Sequence, residues 1–210
     1  MKFILCVAQV LVMVHYALAW QNISEFETGI VGALSNNLVL TSRAFSDSLT
    51  NVIARPFNDE TGMAARIVNG VRESRLYIET MDEDHLDKSF AIATNVCSRT
   101  EGQEASWLCW QSELLRISCH ALRNDMVGAY VASSNALVRI RASSFGGSTN
   151  VISRALLGYY KSQNLTMEQS IRALAAMSAG LLGKKAEAMS LATDLPSTHK
   201  IPIMNVIEGR

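Results

Sequence analysis

The sequence has no excess of charge of either sign, because its 210 residues contain 19 lysines and arginines and 19 aspartates and glutamates. A surface that binds nucleic acid needs a concentrated basic excess to neutralise phosphates. We therefore expect no nucleic-acid partner.

Proline and aromatic residues are also scarce, with three prolines and an aromatic content of 7%. β-sandwiches rely on aromatic and β-branched strands, whereas helices favour the alanine, leucine and methionine that are abundant here. The composition predicts an all-α, single-domain helical bundle of about six to seven helices. We expect the domain to span residues 20–195, with a subdivision point at the glycine-rich linker 143–149. Pro196 and Pro202 predict an irregular tail over residues 196–210.

Catalytic motifs are missing altogether. The chain has no His-Glu-x-x-His zinc helix, no Gly-x-Ser-x-Gly elbow, no Gly-x-Gly-x-x-Gly loop and no Cys-x-x-Cys. Cys119 precedes His120, but neighbours on a helix point about 100° apart and do not face each other. We predict a non-enzymatic protein that has no catalytic residue, no cofactor and no metal site.

Acidic residues are concentrated in one short segment, which also contains His85 and resembles a metal site at first sight. The acidic residues are Asp82, Glu83, Asp84 and Asp87. Their spacing does not match a calcium loop, and carboxylates are favoured at helix N-termini by the backbone dipole. We interpret the segment as a helix start. On the preceding helix, Arg66, Arg72, Glu73 and Arg75 are predicted to form a solvated outer face.

Long hydrophobic runs are confined to the N-terminus. Residues 1–19 combine basic Lys2, an apolar stretch and the small-residue sequence Ala17-Leu18-Ala19, which together are typical of a secretory signal peptide. No later segment is apolar enough to span a membrane. We expect cleavage before Trp20, a secreted extracellular protein, and N-glycosylation at the sequons of Asn22 and Asn164.

Cysteine is rare, and only Cys97, Cys109 and Cys119 follow the signal peptide. Apolar periodicity predicts two helices that meet at a turn near Gly102, with Cys109 and Cys119 roughly 15 Å apart on the second helix. A disulfide needs Cα atoms within about 7 Å, so antiparallel packing predicts a Cys97–Cys109 bond that links the hairpin. Cys119 is then left over, either as a free thiol in the core or as a bond to another chain.

Downstream of this hairpin, the pattern allows one helix to continue past Asn124, Asp125 and Gly128. A capping box at Thr166 and Gln169 starts another helix, whose apolar residues continue to Leu181 and Met189. Many small residues on this last helix predict close approach to a neighbouring helix.

Two functions fit these observations. The first is a secreted, non-enzymatic helical protein that associates with a protein partner or a second copy, with Cys119 as one route to a covalent link. The second is an extracellular carrier of a small apolar ligand within the bundle, for which the nine methionines offer pliable lining.

The signal peptide, the three remaining cysteines, the Ala/Ser-rich helices and the run Val151-Ile152-Ser153-Arg154-Ala155 loosely resemble the light chain of insect silk fibroin. That resemblance implies a cysteine bonded to a heavier partner chain. The cysteine spacing departs from the fibroin pattern, so no residue is carried over. Small helical secreted proteins of insect gut and reproductive tract match equally well.

Overall fold

The computed structural model describes residue 33 and residues 36–53, 60–101, 107–142 and 166–208, and these residues form nine helices and no strand. The predicted all-α class is confirmed. The predicted signal peptide, the linker 143–149, Asn22 and Asn164 lie outside the described residues. The helices are α1 (Asn37–Leu40), α2 (Arg43–Ile53), α3 (Glu60–Thr80), α4 (Glu83–Arg99), α5 (Trp107–Leu122), α6 (Met126–Ala142), α7 (Met167–Leu181), α8 (Lys185–Ala192) and α9 (Ser197–Glu208).

The chain is divided into two compact units. Of the described residues, the first unit contains residues 33, 36–53 and 60–92, and the second contains residues 93–101, 107–142 and 166–208. Helix α4 belongs to the first unit as far as Ile92 and to the second from Ala93 onward.

In the first unit, α2 packs against α3 through apolar side chains. Phe45 and Leu49 are buried on α2, and Ile67 and Val68 are fully buried on α3. The start of α2 is capped by the Ser42 hydroxyl, which accepts from the Phe45 backbone N–H at 3.2 Å.

In the second unit, α7 lies at the centre and packs against α5, α6, α8 and α9. The predicted capping box is confirmed, since Thr166 Oγ1 accepts from the Gln169 N–H at 3.1 Å and Gln169 Oε1 accepts from the Thr166 N–H at 2.9 Å. The core around α7 is a cluster of small and aliphatic side chains. It contains Ala176, Ala179, Ala188, Ala192, Leu195, Ile203 and Ile207.

Small residues do allow a close helix approach, as predicted. A Cβ atom added at Gly180 would lie 3.3 Å from Ile207 Cγ1 and 3.4 Å from Val206 Cγ1. Helix α9 therefore packs almost directly on the backbone of α7.

Two segments that the sequence pattern allows to be continuous helices are broken. After α5, Asn124 takes a left-handed conformation with φ 58°, and Asp125 caps α6 by accepting from the Gly128 N–H at 2.9 Å. After α7, Gly183 takes φ 78°, with bonds from Gly183 N to Gly180 O at 3.0 Å and from Lys184 N to Ala179 O at 2.9 Å. These two bonds form a Schellman motif, which ends α7 before Met189.

The prediction of an irregular tail over residues 196–210 is wrong, because Ser197–Glu208 form helix α9 with Pro202 inside it. Proline removes one backbone donor and disfavours helix. Burial of Ile203 and Ile207 against α7 and α8 offsets that cost. Pro196 is compatible with the helix start, where its carbonyl accepts from His199 and Lys200 at 2.9 Å.

Candidate functional site

No disulfide joins any of the three described cysteines to another, and no two of them are close to each other. Cys109 and Cys119 are buried in α5, and Cys97 is half-buried near the end of α4. The structure therefore does not show the predicted hairpin disulfide between Cys97 and Cys109. The complete burial of Cys119 supports its interpretation as a core residue.

The position of Cys97 differs from the predicted register. Its thiol hydrogen-bonds with Ser112 and lies near Glu113, about one helical turn beyond Cys109.

The chemical state of Cys97 follows from this setting. Burial raises the pKa of its thiol to about 11, the negative charge of Glu113 acts in the same direction, and the hydrogen bond with Ser112 opposes it. Because the thiolate is the nucleophile, a thiol that stays protonated at neutral pH reacts slowly.

A buried carboxylate, Glu113, connects α5 with α6. Its Oε2 accepts from Arg116 Nη2 at 2.7 Å, and its Oε1 accepts from Arg139 Nη1 at 3.0 Å. Arg139 Nη2 also lies 3.6 Å from Cys109 Sγ, and its guanidinium carbon lies 5.4 Å from the centre of the Trp110 ring. The two arginines neutralise the carboxylate, so this cluster is well suited to join helices and offers no free base.

His120 lies in the last turn of α5 and contacts the cap of α6. Its Nδ1 lies 2.8 Å from Asp125 Oδ2. The bond from the Gly128 N–H lowers the pKa of Asp125, and the bond with His120 lowers it further. His120 is therefore bonded to the carboxylate that caps α6, whereas its neighbour Cys119 is buried.

The predicted solvated face on α3 is wrong in part. Glu73 is buried and accepts from Arg72 Nη1 at 2.7 Å, and His85 Nδ1 lies 2.7 Å from its other oxygen. The sequence pattern missed this because His85 comes from the next helix. The three groups tie α3 to the start of α4.

The acidic segment does form a helix start, as interpreted. Glu83 and Asp84 lie in the first turn of α4, and Asp82 Oδ1 accepts from the Asp84 N–H at 3.1 Å. A hydrogen bond from Lys88 lowers the pKa of Asp84. Over the described ranges, no group of three or more His, Cys, Asp or Glu residues is arranged to hold a metal ion.

An exposed apolar face on α6 was not anticipated from the sequence. Val127, Val131 and Val138 are 60%, 49% and 71% exposed. Their spacings of four and seven residues place them on one side of the helix, and we call them the valine stripe. The opposite side is buried through Ala132 and Ala136. The spacing of the three valines could have predicted this exposed face from the sequence. It did not stand out because α6 also has apolar residues on its buried side.

No helix in the described part of the chain is long and apolar enough to cross a membrane. Comparison with protein-family models, curated proteins and solved structures finds no match to this chain. Function therefore has to be argued from its own residues.

Proposed function

We propose that this chain is a secreted, non-enzymatic helical protein that works by associating with another protein surface through the valine stripe of α6. The observation that carries the proposal is the exposure of all three valines on one side of a helix. A helix that faces only water has polar residues there, and clustered exposed apolar residues mark interaction surfaces.

The arrangement of α6 supports this assignment. The inner side of α6 packs against α5 and α7. The valine stripe is on the exposed side and is not part of the core of its own unit. β-branched valines are also stiff, and little rotamer entropy is lost when they are covered. Either a partner protein or a second copy of the chain fits such a surface.

Association through the valine stripe does not depend on the predicted cysteine bonds. A covalent link through Cys119 would require local opening, because its side chain is fully buried. Non-covalent contact through the valine stripe needs no such opening. The Cys97–Cys109 bond and the link through Cys119 stay predictions, and peptide mapping with non-reducing electrophoresis distinguishes bonded from free thiols.

Sedimentation velocity of the full secreted chain, followed by native mass spectrometry of protein from its source, tests the proposal. We expect a dimer or a defined complex that the double variant Val131→Lys with Val138→Lys dissociates. Met189→Lys, an exposed apolar residue on α8, is the matched control and leaves the complex intact. A chain that is monomeric in both experiments would overturn the proposal.

A further inference from the structure

Two polar atoms on the buried side of α5 have no hydrogen-bond partner among the described residues. They are the indole Nε1 of Trp107 and the carbonyl Oε1 of Gln111. Trp107 is 4% exposed and Gln111 is 1% exposed. The two residues are four positions apart, so their side chains lie on the same side of the helix, one turn from each other.

The amide orientation of Gln111 is fixed by its other contact. Its Nε2 donates to Met167 Sδ of α7 at 3.7 Å, and a thioether sulfur can only accept. The carbonyl oxygen is therefore the atom left unpaired. Trp107 offers the complementary group, because an indole N–H only donates.

An unpaired buried donor and an unpaired buried acceptor both destabilise the fold, and one neutral group can satisfy them together. A hydroxyl oxygen can accept from Trp107 while its hydrogen is donated to Gln111. A carboxylate or an ether can only accept, so either would leave Gln111 unpaired, and an alkane would satisfy neither residue.

We propose that the junction of α5 and α7 at Trp107, Gln111 and Met167 binds a small apolar molecule by its hydroxyl group. The surroundings include an apolar group, because the buried Met167 contacts Gln111 through its sulfur. Small-molecule sites are typically apolar with a few convergent polar groups. This site is independent of the valine stripe.

The test uses the full chain labelled with ¹⁵N and follows its indole N–H signals by nuclear magnetic resonance. The probes are 1-octanol, heptyl methyl ether, which has the same atoms but no donor, and octanoate. Trp107→Phe identifies the Trp107 signal by its loss, and Trp110→Phe is the matched control on the same helix.

We expect 1-octanol to move the Trp107 signal and to bind roughly tenfold more tightly than the ether or octanoate, as the loss of one hydrogen bond to a buried acceptor implies. Gln111→Met, which keeps the side-chain length, should remove that preference. Trp110→Phe should retain it.

Equal affinity of wild-type protein for 1-octanol and the ether would overturn the proposal, because the site would then recognise only apolar bulk. The proposal would also be overturned if the Trp107 signal did not move up to the solubility limit of 1-octanol. A bound water would then be the partner of the two polar atoms. If Gln111→Met does not fold, the comparison of probes on the wild-type chain decides the matter alone.

Discussion

Buried carboxylates are the residue-scale feature that distinguishes this protein from an ordinary amphipathic bundle. Glu73 and Glu113 are both buried, and each is paired with basic side chains. Charges removed from water are costly unless they are paired and hydrogen-bonded. Each carboxylate therefore depends on partners that a helical repeat alone does not reveal.

Replacing Glu73 by glutamine should destabilise the first unit by about 3 kcal/mol, because the largely covered Arg72 side chain loses the buried carboxylate it pairs with. Urea unfolding of the full chain measures the change. Glu79→Gln, on the exposed side of α3, is the control and should stay within about 0.5 kcal/mol of wild type. Equal effects of the two variants would contradict a structural role for Glu73.

Cys97 should react slowly with iodoacetamide at neutral pH in the native protein. Because burial raises its pKa to about 11, the alkylation rate should continue to rise beyond pH 9. The stabilisation linked to this raised pKa is complete below the unfolded value of 9.0 and is lost as pH rises through about 11. Mass-spectrometric rates at several pH values, with Cys97→Ser as the blank, measure this, and a plateau near pH 8 would contradict it.

At the scale of elements, the helical class and the capping box at Thr166 were predictable because they depend on local periodicity and local hydrogen bonds. The break at Gly183 and the helix over residues 197–208 were not. Pro202 argues locally against a helix, and only the docking of Ile203 onto α7 reverses that preference. The neighbours of Cys97 were missed for a similar reason, since contacts between separate helices, and not the local sequence, place its thiol beside Ser112.

Gly183→Ala should destabilise the second unit by about 1 kcal/mol, because φ 78° places the added Cβ near the following carbonyl oxygen. A Cβ at this position meets no atom of another residue within 4 Å, so a steric clash with the surroundings does not contribute to the expected loss of stability. Asparagine tolerates this conformation, and Gly183→Asn should cost less than Gly183→Ala. Thermal unfolding of both variants measures the order, and the reverse order would contradict the turn.

Ile203→Ala should cost about 3 kcal/mol, because it removes a side chain that is 2% exposed in the contact between α9 and α7. Ile201 lies two residues earlier on the same helix and is 59% exposed. Ile201→Ala is thus a control with the same chemistry and should change stability by less than about 0.5 kcal/mol. Denaturant unfolding compares the two, and similar losses would mean that α9 is not docked as described.

At the scale of the whole molecule, the two compact units have different cores. The first buries side chains such as Phe45 and Ile67, whereas the second combines large residues such as Trp110 with the alanines of α7 and α8. The valine stripe and the unpaired polar atoms of Trp107 and Gln111 both belong to the second unit. We infer that recognition is concentrated there.

Expression of the full chain in eukaryotic secretory cells should release a protein that begins at Trp20 and carries N-glycans. Asn22→Gln and Asn164→Gln should each remove one glycan, while Asn135→Gln, outside any sequon, should remove none. Intact-mass measurement before and after glycosidase treatment counts the glycans. Retention in the cell with residues 1–19 attached would contradict the secretory assignment.

The contact of α9 with Gly180 sets an unusual limit on variation in this chain. Where Ala176, Ala179 and Gly180 face their neighbours, nearly every replacement adds volume to space that is already filled. A saturation scan of these positions should accept only glycine, alanine and serine, whereas Ile203 and Ile207 across the contact should tolerate other aliphatics. The distance between these helices is thus set by the main chain of α7 and the side chains of α9, and substitutions are expected to be tolerated on α9 alone.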